Sequence, residues 1–106
     1  MAEAPQHEVV SGRPLADTAV RQRFTGTVEV LATQERTEPP FRFDATVTDG
    51  TAELVLRFLG RRRVPGLRAG AVVAVSGRLV EHLGTRCLLN PGYDLVVPCG
   101  DSGTSS

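Results

Sequence analysis

The sequence contains no lysine and no tryptophan, and its aromatic residues are limited to four phenylalanines and one tyrosine. All twelve basic residues are therefore arginines, and twelve acidic residues balance them to a formal net charge of zero. A chain without net charge has no overall field that attracts a polyanion. Any affinity for nucleic acid must therefore come from a local cluster of arginines.

Cysteine and histidine are also scarce, with two residues of each. Cys87 and Cys99 are too few and too far apart for a disulfide framework or a zinc site, which needs four ligands at short spacings. Neither His7 nor His82 has a carboxylate and a nucleophile spaced to join it. The glycines of residues 60–70 lack the lysine and the following helix of a phosphate-binding loop. We therefore expect no enzymatic activity, no cofactor and no metal.

Long apolar runs are missing too, since the longest covers only residues 71–75 and a membrane span needs about 20 residues. Residues 1–10 lack the basic start and apolar stretch of a signal peptide. These two absences lead us to expect a cytoplasmic protein. A length of 106 residues suits a single domain.

Asp49-Gly50 is the clearest turn signal, because it separates two runs of alternating apolar residues and both residues tolerate positive φ. A two-residue loop fixes the register of the flanking strands. In that register apolar residues meet on one face as the pairs Phe41/Phe58, Phe43/Leu56, Ala45/Leu54 and Val47/Ala52. The sequence thus predicts a central β-hairpin with these three phenylalanines in the core.

The other face of the predicted hairpin sets Arg42 opposite Arg57, and like charges directly across a strand pair repel. An anion held between the two guanidinium groups would relieve this repulsion, and an arginine triplet at residues 61–63 follows the second strand. This pattern predicts an anion-binding surface. The alternative is a solvated face on which Asp44 neutralises part of the charge of Arg57.

The remaining apolar segments predict three further strands. The first strand covers residues 24–33, and Gly26 within it indicates a bend or a bulge. The fourth covers residues 72–80. The fifth covers residues 85–90 and continues over 93–97 after the break at Asn90-Pro91-Gly92. Five regularly spaced strands indicate an all-β fold, a small five-stranded antiparallel barrel.

The segments around the barrel are predicted to be short or irregular. Residues 1–15 should be disordered or loosely attached, and residues 98–106 should form a flexible tail, which leaves residues 16–97 as the domain. Residues 16–23 are predicted to form a short helical lead-in capped by Asp17. Residues 60–70 are predicted to form an irregular basic loop.

Several motifs resemble those of small OB-fold nucleic-acid-binding proteins of actinobacteria. They are Asp49-Gly50-Thr51, the run Phe-Leu-Gly-Arg-Arg-Arg-Val-Pro-Gly that begins at Phe58, Gly70, Gly77-Arg78 and Asn90-Pro91-x-Tyr93. Those proteins are similar to the OB wedge domain of branched-DNA helicases and to the anticodon-binding OB family. The resemblance covers about residues 14–97. It implies an OB barrel that binds nucleic acid on the face of strands two and three, between the loops joining strands one to two and four to five.

The predicted nucleic-acid-binding residues are Arg42, Arg57, Arg61, Arg62, Arg63, Arg86 and Tyr93. With three phenylalanines in the core, Tyr93 is the ring left for base stacking, so binding should be weak and independent of sequence. Single-stranded or forked DNA is favoured as the partner, and RNA also fits. The second hypothesis is an adaptor barrel that docks on a larger DNA- or RNA-processing machine. The two hypotheses differ because phosphate contacts make binding depend on salt.

Overall fold

Alternating apolar and polar residues produce six β-strands in residues 13–97, the part of the chain that the computed structural model describes. The strands are β1 (Arg23–Arg36), β2 (Arg42–Thr48), β3 (Glu53–Leu59), β4 (Val72–His82), β5 (Thr85–Leu89) and β6 (Gly92–Val97). The predictions for the first twelve residues, which include His7, and for Cys99 and the tail lie outside this range. Within it, no helix is long and apolar enough to cross a membrane.

Five of the strands form a closed ring in the order β1, β2, β3, β5 and β4, with β4 pairing back to β1. β6 pairs with β4 beyond the end of β5, so β5 and β6 are two halves of one strand interrupted at Asn90 and Pro91. The pairings are antiparallel except that of β3 with β5, which is parallel and closes the ring. The predicted all-β barrel and its broken fifth strand are confirmed.

The core fills the ring with side chains from the inner faces of the strands. The central hairpin contributes Phe43, Ala45, Val47, Leu54, Leu56 and Phe58, each of them buried as the alternating pattern predicts. The rings of Phe43 and Phe58 meet edge to face, with centroids 6.4 Å apart. Phe41, however, is half-buried, so its predicted place in the core is wrong.

The turn between β2 and β3 is longer than predicted. Thr48 pairs with Glu53, which leaves a loop of residues 49–52, whereas the sequence predicted the two-residue loop Asp49-Gly50. Gly50 does have positive φ, at +92°, but Asp49 does not. Instead the Asp49 carboxylate accepts hydrogen bonds from the backbone N–H and the hydroxyl of Thr51. Hydrogen bonds between a side chain and the nearby backbone stabilise a turn that is longer than the two-residue type I′ turn.

This longer loop shifts the strand register by two residues from the prediction. Arg42 pairs with Leu59, and Arg57 pairs with Asp44. The predicted opposition of Arg42 and Arg57 is therefore wrong. The faces of the strands are unchanged, because side chains alternate with a period of two.

The irregularity in β1 lies at Leu31 and not at Gly26, where we expected a bend. β1 pairs with β4 along residues 23–29 and with β2 along residues 29–36, and the register with β2 shifts between Val30 and Ala32. Gly26 lies in a regular stretch, and the ring of Phe24 comes to 3.0 Å from the place that a Cβ would occupy there. The glycine therefore makes room for the Phe24 ring.

The chain enters the barrel through a 3₁₀ turn, Leu15–Asp17, rather than through the short helix predicted for residues 16–23. The residue before the turn is Pro14, which makes no side-chain cap hydrogen bond, and Asp17 lies inside the turn, so the predicted role of Asp17 as a cap is wrong. The turn is held by the β2–β3 loop, because Leu15 donates its N–H to Asp49 Oδ2 at 2.8 Å. Leu15 itself is buried in the core.

Candidate nucleic-acid interface

A groove opens on the surface where β2 begins and β3 ends. Its walls come from the end of β1, the β1–β2 loop, the β2–β3 pair and the β4–β5 turn, and its volume is about 440 Å³. The lining residues are Arg36, Pro40, Phe41, Arg42, Leu59, Gly60, His82 and Leu83. The groove is therefore apolar in its floor and carries cationic side chains at its edges.

The strand register explains why Phe41 reaches this groove. Extending the β2–β3 pairing by one residue sets Phe41 beside Gly60, whose N–H donates to the Phe41 carbonyl at 2.8 Å. A glycine offers no side chain to cover the ring, so Phe41 remains half-buried at the mouth of the barrel. Leu59 and Leu83 continue the apolar surface, and Leu83 is 74% exposed. A groove of this volume, with an apolar floor and a few polar groups at its edges, has the usual form of a ligand-binding site.

Arginines border the groove on two sides. Arg36 pairs directly with Arg42 across β1 and β2, so two like charges face each other here. Arg42 has one weak ion pair, with its Nε 3.6 Å from Asp44 Oδ2. Arg62 lies over the Phe41 ring, with its guanidinium carbon 5.4 Å from the ring centroid. The guanidinium group of Arg62 thus lies within reach of a ligand that contacts Phe41.

The other two arginines of the triplet, Arg61 and Arg63, belong to the same loop and are exposed. The guanidinium carbon of Arg61 lies 5.9 Å from the centroid of the Phe58 ring. A cation over an aromatic face gains roughly 0.5–1 kcal/mol when exposed, so this contact orients Arg61 only weakly. The structure therefore gathers Arg42 and the triplet at one end of the barrel.

Arg57 has a different place from the one predicted. It is 4% exposed, and its guanidinium group binds the carboxylate of Asp44 through two hydrogen bonds of 3.0 and 3.1 Å. These hydrogen bonds raise the pKa of Arg57, whereas burial lowers it. The hydrogen bonds have the larger effect, so the pKa lies above its usual value. The alternative in which Asp44 neutralises Arg57 fits this geometry. In this arrangement Arg57 does not present its charge to a ligand.

Two further predicted residues lie away from the groove. Arg86 donates to the backbone carbonyl of Thr18 at 2.8 Å and so fastens the N-terminal segment to the barrel. Tyr93 is half-buried, its ring packs edge to face on Phe58 at 5.8 Å, and its hydroxyl donates to the Pro65 carbonyl. Both side chains contribute to the barrel, and neither lines the groove around Phe41.

Sequence reasoning missed the apolar floor of the groove and two of its polar residues, Arg36 and His82. Phe41 was missed because the predicted register paired it with Phe58, whereas in the structure the β2–β3 pairing ends at Arg42 and Leu59 and leaves Phe41 beside Gly60. Arg36 would have followed from a longer first strand, since β1 continues three residues beyond its predicted end. Nothing in the sequence pattern pointed to His82. It reaches the groove because β4 extends as far as His82.

The side chains that line the groove have the chemistry for binding a ligand. Among residues 13–97, no three of the side chains of histidine, cysteine, aspartate and glutamate come together in a way that could hold a metal ion. Cys87 is fully buried, and burial raises the pKa of its thiol. An aromatic ring with guanidinium groups around it can stack a planar group and pair with its anionic substituents.

Comparison with known proteins adds one likeness. No family model matches the sequence, and no curated protein matches it. Among solved structures, the chain is similar to one from a Replication Protein A heterotrimer bound to ssDNA, with a TM-score of 0.53 and 19% sequence identity. The match covers 71% of this chain and 57% of the other, so this chain spans little more than half the length of its neighbour. At this level of identity the likeness establishes a shared barrel fold.

Proposed function

We propose that this protein binds single-stranded nucleic acid, weakly and without sequence preference, in the groove around Phe41. The observation that carries the proposal is the half-buried Phe41 ring beneath the guanidinium group of Arg62, next to the opposed pair of Arg36 and Arg42. The apolar floor suits a nucleobase, and the arginines suit the phosphates on either side of it.

Base stacking would take place on the floor of the groove. Phe41 offers an aromatic face, and Leu59 and Leu83 extend it with exposed aliphatic surface. Every base has a π-face, so stacking does not distinguish one base from another. One ring supports one stacked base, which is consistent with weak binding.

Phosphate contacts would come from the edges of the groove. The opposed guanidinium groups of Arg36 and Arg42 repel each other in the free protein, and a phosphate between them would remove that repulsion. The arginine triplet at residues 61–63 supplies further exposed cations, and one of them, Arg62, lies over the Phe41 ring. If three or four arginines pair with phosphates, log affinity should fall with log salt at a slope of roughly −2 to −3.

The nature of the structural neighbour supports the proposal, because that protein was solved with ssDNA bound. The single-stranded arm of a forked DNA and single-stranded RNA present the same bases and phosphates. A duplex hides the faces of its bases, so it should bind less well than any of these. We favour single-stranded or forked DNA and include RNA among the ligands to be compared.

The proposal is tested by titrating the protein with labelled single-stranded DNA, forked DNA, duplex DNA and RNA at about 50 mM and about 200 mM salt. Phe41→Ala should weaken binding of single strands by about 1–3 kcal/mol, the usual value of one stacked base, and should leave the salt slope unchanged. Val96→Ala is the matched control, since Val96 is exposed and apolar but does not line the groove.

Two results would contradict the proposal. If Phe41→Ala binds single strands as well as the natural protein does, the groove is not the site. Absence of binding to every nucleic acid at low salt would favour the adaptor hypothesis, and a protein partner would then bind with little dependence on salt.

A further inference from the structure

His82 lies between the groove and the buried ion pair of Arg57 and Asp44. It is the last residue of β4, it is half-buried, and it lines the groove. Nδ1 of its ring is 3.0 Å from Nη1 of Arg57, and its backbone carbonyl accepts from the same nitrogen at 2.9 Å. The guanidinium group of Arg57 thus holds the His82 side chain in place through Nδ1.

The partner of Nδ1 fixes where the ring carries its proton. A guanidinium group has donors and no acceptor, so Nδ1 of His82 must be the acceptor in this contact. A neutral imidazole that accepts at Nδ1 carries its hydrogen on Nε2. No residue in the described part of the chain forms a hydrogen bond with Nε2, which leaves this N–H for a ligand in the groove.

The guanidinium group of Arg57 cannot easily turn away from the ring. Its Nε and Nη2 both donate to the carboxylate of Asp44, which holds the plane of the group in place. Nη1 is then directed at His82, and the side chain of Arg57 is 5% exposed. Asp44 and Arg57 therefore form a rigid support behind the histidine.

We propose that His82 donates a hydrogen bond from Nε2 to a nucleotide in the groove, and that Arg57 and Asp44 are the positioning residues that fix its tautomer. This inference rests on the proposed function. The acceptor is an oxygen or nitrogen atom of the nucleotide, and both the base and the phosphate can supply one. In contrast to the long arginines at the edge, His82 offers a single donor with a fixed direction.

Two substitutions separate this role from a merely structural one. His82→Asn places an amide oxygen about where Nδ1 lies, so it keeps an acceptor for Arg57 but removes the Nε2 donor. His82→Gln places an amide nitrogen about where Nε2 lies, so it keeps the donor but removes that acceptor. His82→Asn should therefore have the larger effect on ligand binding, and His82→Gln should have the larger effect on protein stability.

We expect His82→Asn to weaken binding of a single-stranded thymidine oligonucleotide about three- to tenfold, the usual effect of one lost hydrogen bond. His82→Gln should stay within about twofold of the natural protein in binding, although its thermal stability should be the lower of the two because Nη1 of Arg57 loses a partner. If His82 served only to anchor Arg57, His82→Gln would be the weaker binder, and that order would overturn the inference.

An abasic oligonucleotide of the same length identifies the source of the acceptor. A loss in His82→Asn on the thymidine strand alone assigns the contact to a base, and an equal loss on both strands assigns it to a phosphate. Unchanged binding by His82→Asn, with normal salt dependence, refutes the contact while the proposed function stands. If the natural protein binds neither strand, both proposals fail.

Discussion

Asp49 links two distant parts of the chain through its two carboxylate oxygens. Oδ1 accepts from the N–H and the hydroxyl of Thr51 within the β2–β3 loop, and Oδ2 accepts from the N–H of Leu15 in the N-terminal turn. Burial alone would raise the pKa of Asp49, but these hydrogen bonds and a longer one from Ala52 outweigh it, and the pKa lies below its usual value. The ionised carboxylate therefore stabilises the fold.

Asp49→Asn should lower the free energy of unfolding by about 0.5–1.5 kcal/mol near neutral pH, because an amide nitrogen at the Oδ2 position cannot accept from Leu15. The folded pKa is depressed, so the contribution of the carboxylate is complete above the unfolded pKa and is lost as pH falls through the folded one. Urea unfolding between about pH 5 and about pH 2 should thus show a shallower loss of stability in the variant.

Asp17→Asn is the control for this measurement, because Asp17 is exposed and its carboxylate caps no turn. It should leave both the stability at neutral pH and the acid dependence close to those of the natural protein. Equal acid dependence in Asp49→Asn and in the natural protein would show that this carboxylate does not stabilise the fold.

Individual arginines also show how far a sequence can identify a site. Arg42 and Arg57 occupy equivalent outward positions in the alternating pattern, and nothing local to either one distinguishes them. The residue across the strand pair decides between them, since Asp44 faces Arg57 and Leu59 faces Arg42. One arginine is consequently buried in an ion pair and the other lines the groove. A site prediction at this scale depends on the exact register.

Among the structural elements, the β2–β3 hairpin was predicted correctly as a pair of strands, and so was the face that each strand buries. Its register was not predicted. A shift of two residues keeps every side chain of β2 and β3 on its predicted face, so the buried apolar residues of these strands could be predicted without knowing the loop length. The same shift changes every cross-strand partner and moves Phe41 from the core to the groove. The loop length is set by hydrogen bonds to the Asp49 side chain, and hydrophobic patterning does not reveal such bonds.

Gly50 supplies the positive φ that this loop requires. Its φ is +92°, and nothing lies within 4 Å of the place that a Cβ would occupy, so the cost of a substitution comes from the backbone alone. Gly50→Val should lower the free energy of unfolding by about 1–2 kcal/mol, because a β-branched residue resists positive φ. Chemical denaturation measures this difference directly.

Gly50→Asn provides the comparison, because asparagine adopts the left-handed region more readily than other side chains do. It should cost clearly less than Gly50→Val, although both add a Cβ in the same open space. Equal losses in the two variants would mean that bulk or solvation, rather than backbone strain, sets the cost at this turn.

At the scale of the whole molecule, the barrel was predictable, whereas the set of arginines around the groove was predicted only in part. Strand number, the broken fifth strand and the irregular loop at residues 60–70 all follow from periodicity and from proline and glycine. The clustering of charge needs the topology, because Arg36 comes from β1 and the triplet from the loop after β3. A neutral chain therefore places several arginines at one end of its barrel, and composition alone could not reveal this.

Two charge-reversal pairs can test whether this local cluster, rather than the total charge, attracts nucleic acid. Arg61→Glu with Arg62→Glu changes the net charge by the same amount as Arg13→Glu with Arg78→Glu. All four arginines are exposed. Arg13 lies beside Asp49 and Thr51, at the opposite end of the β2–β3 hairpin from the groove. Arg57 is unsuitable for such a test, because reversing it would break its ion pair with Asp44.

If binding depends on local contacts, the pair at Arg61 and Arg62 should lose most of its affinity for single-stranded DNA at low salt. Its salt slope should flatten by about 0.7 for each phosphate contact removed. The pair at Arg13 and Arg78 should keep its slope and most of its affinity, because neither residue lines the groove and exposed charges without a direct phosphate contact are screened by salt. Equal losses in both pairs would mean that total charge controls binding, and the groove would then have no special part in it.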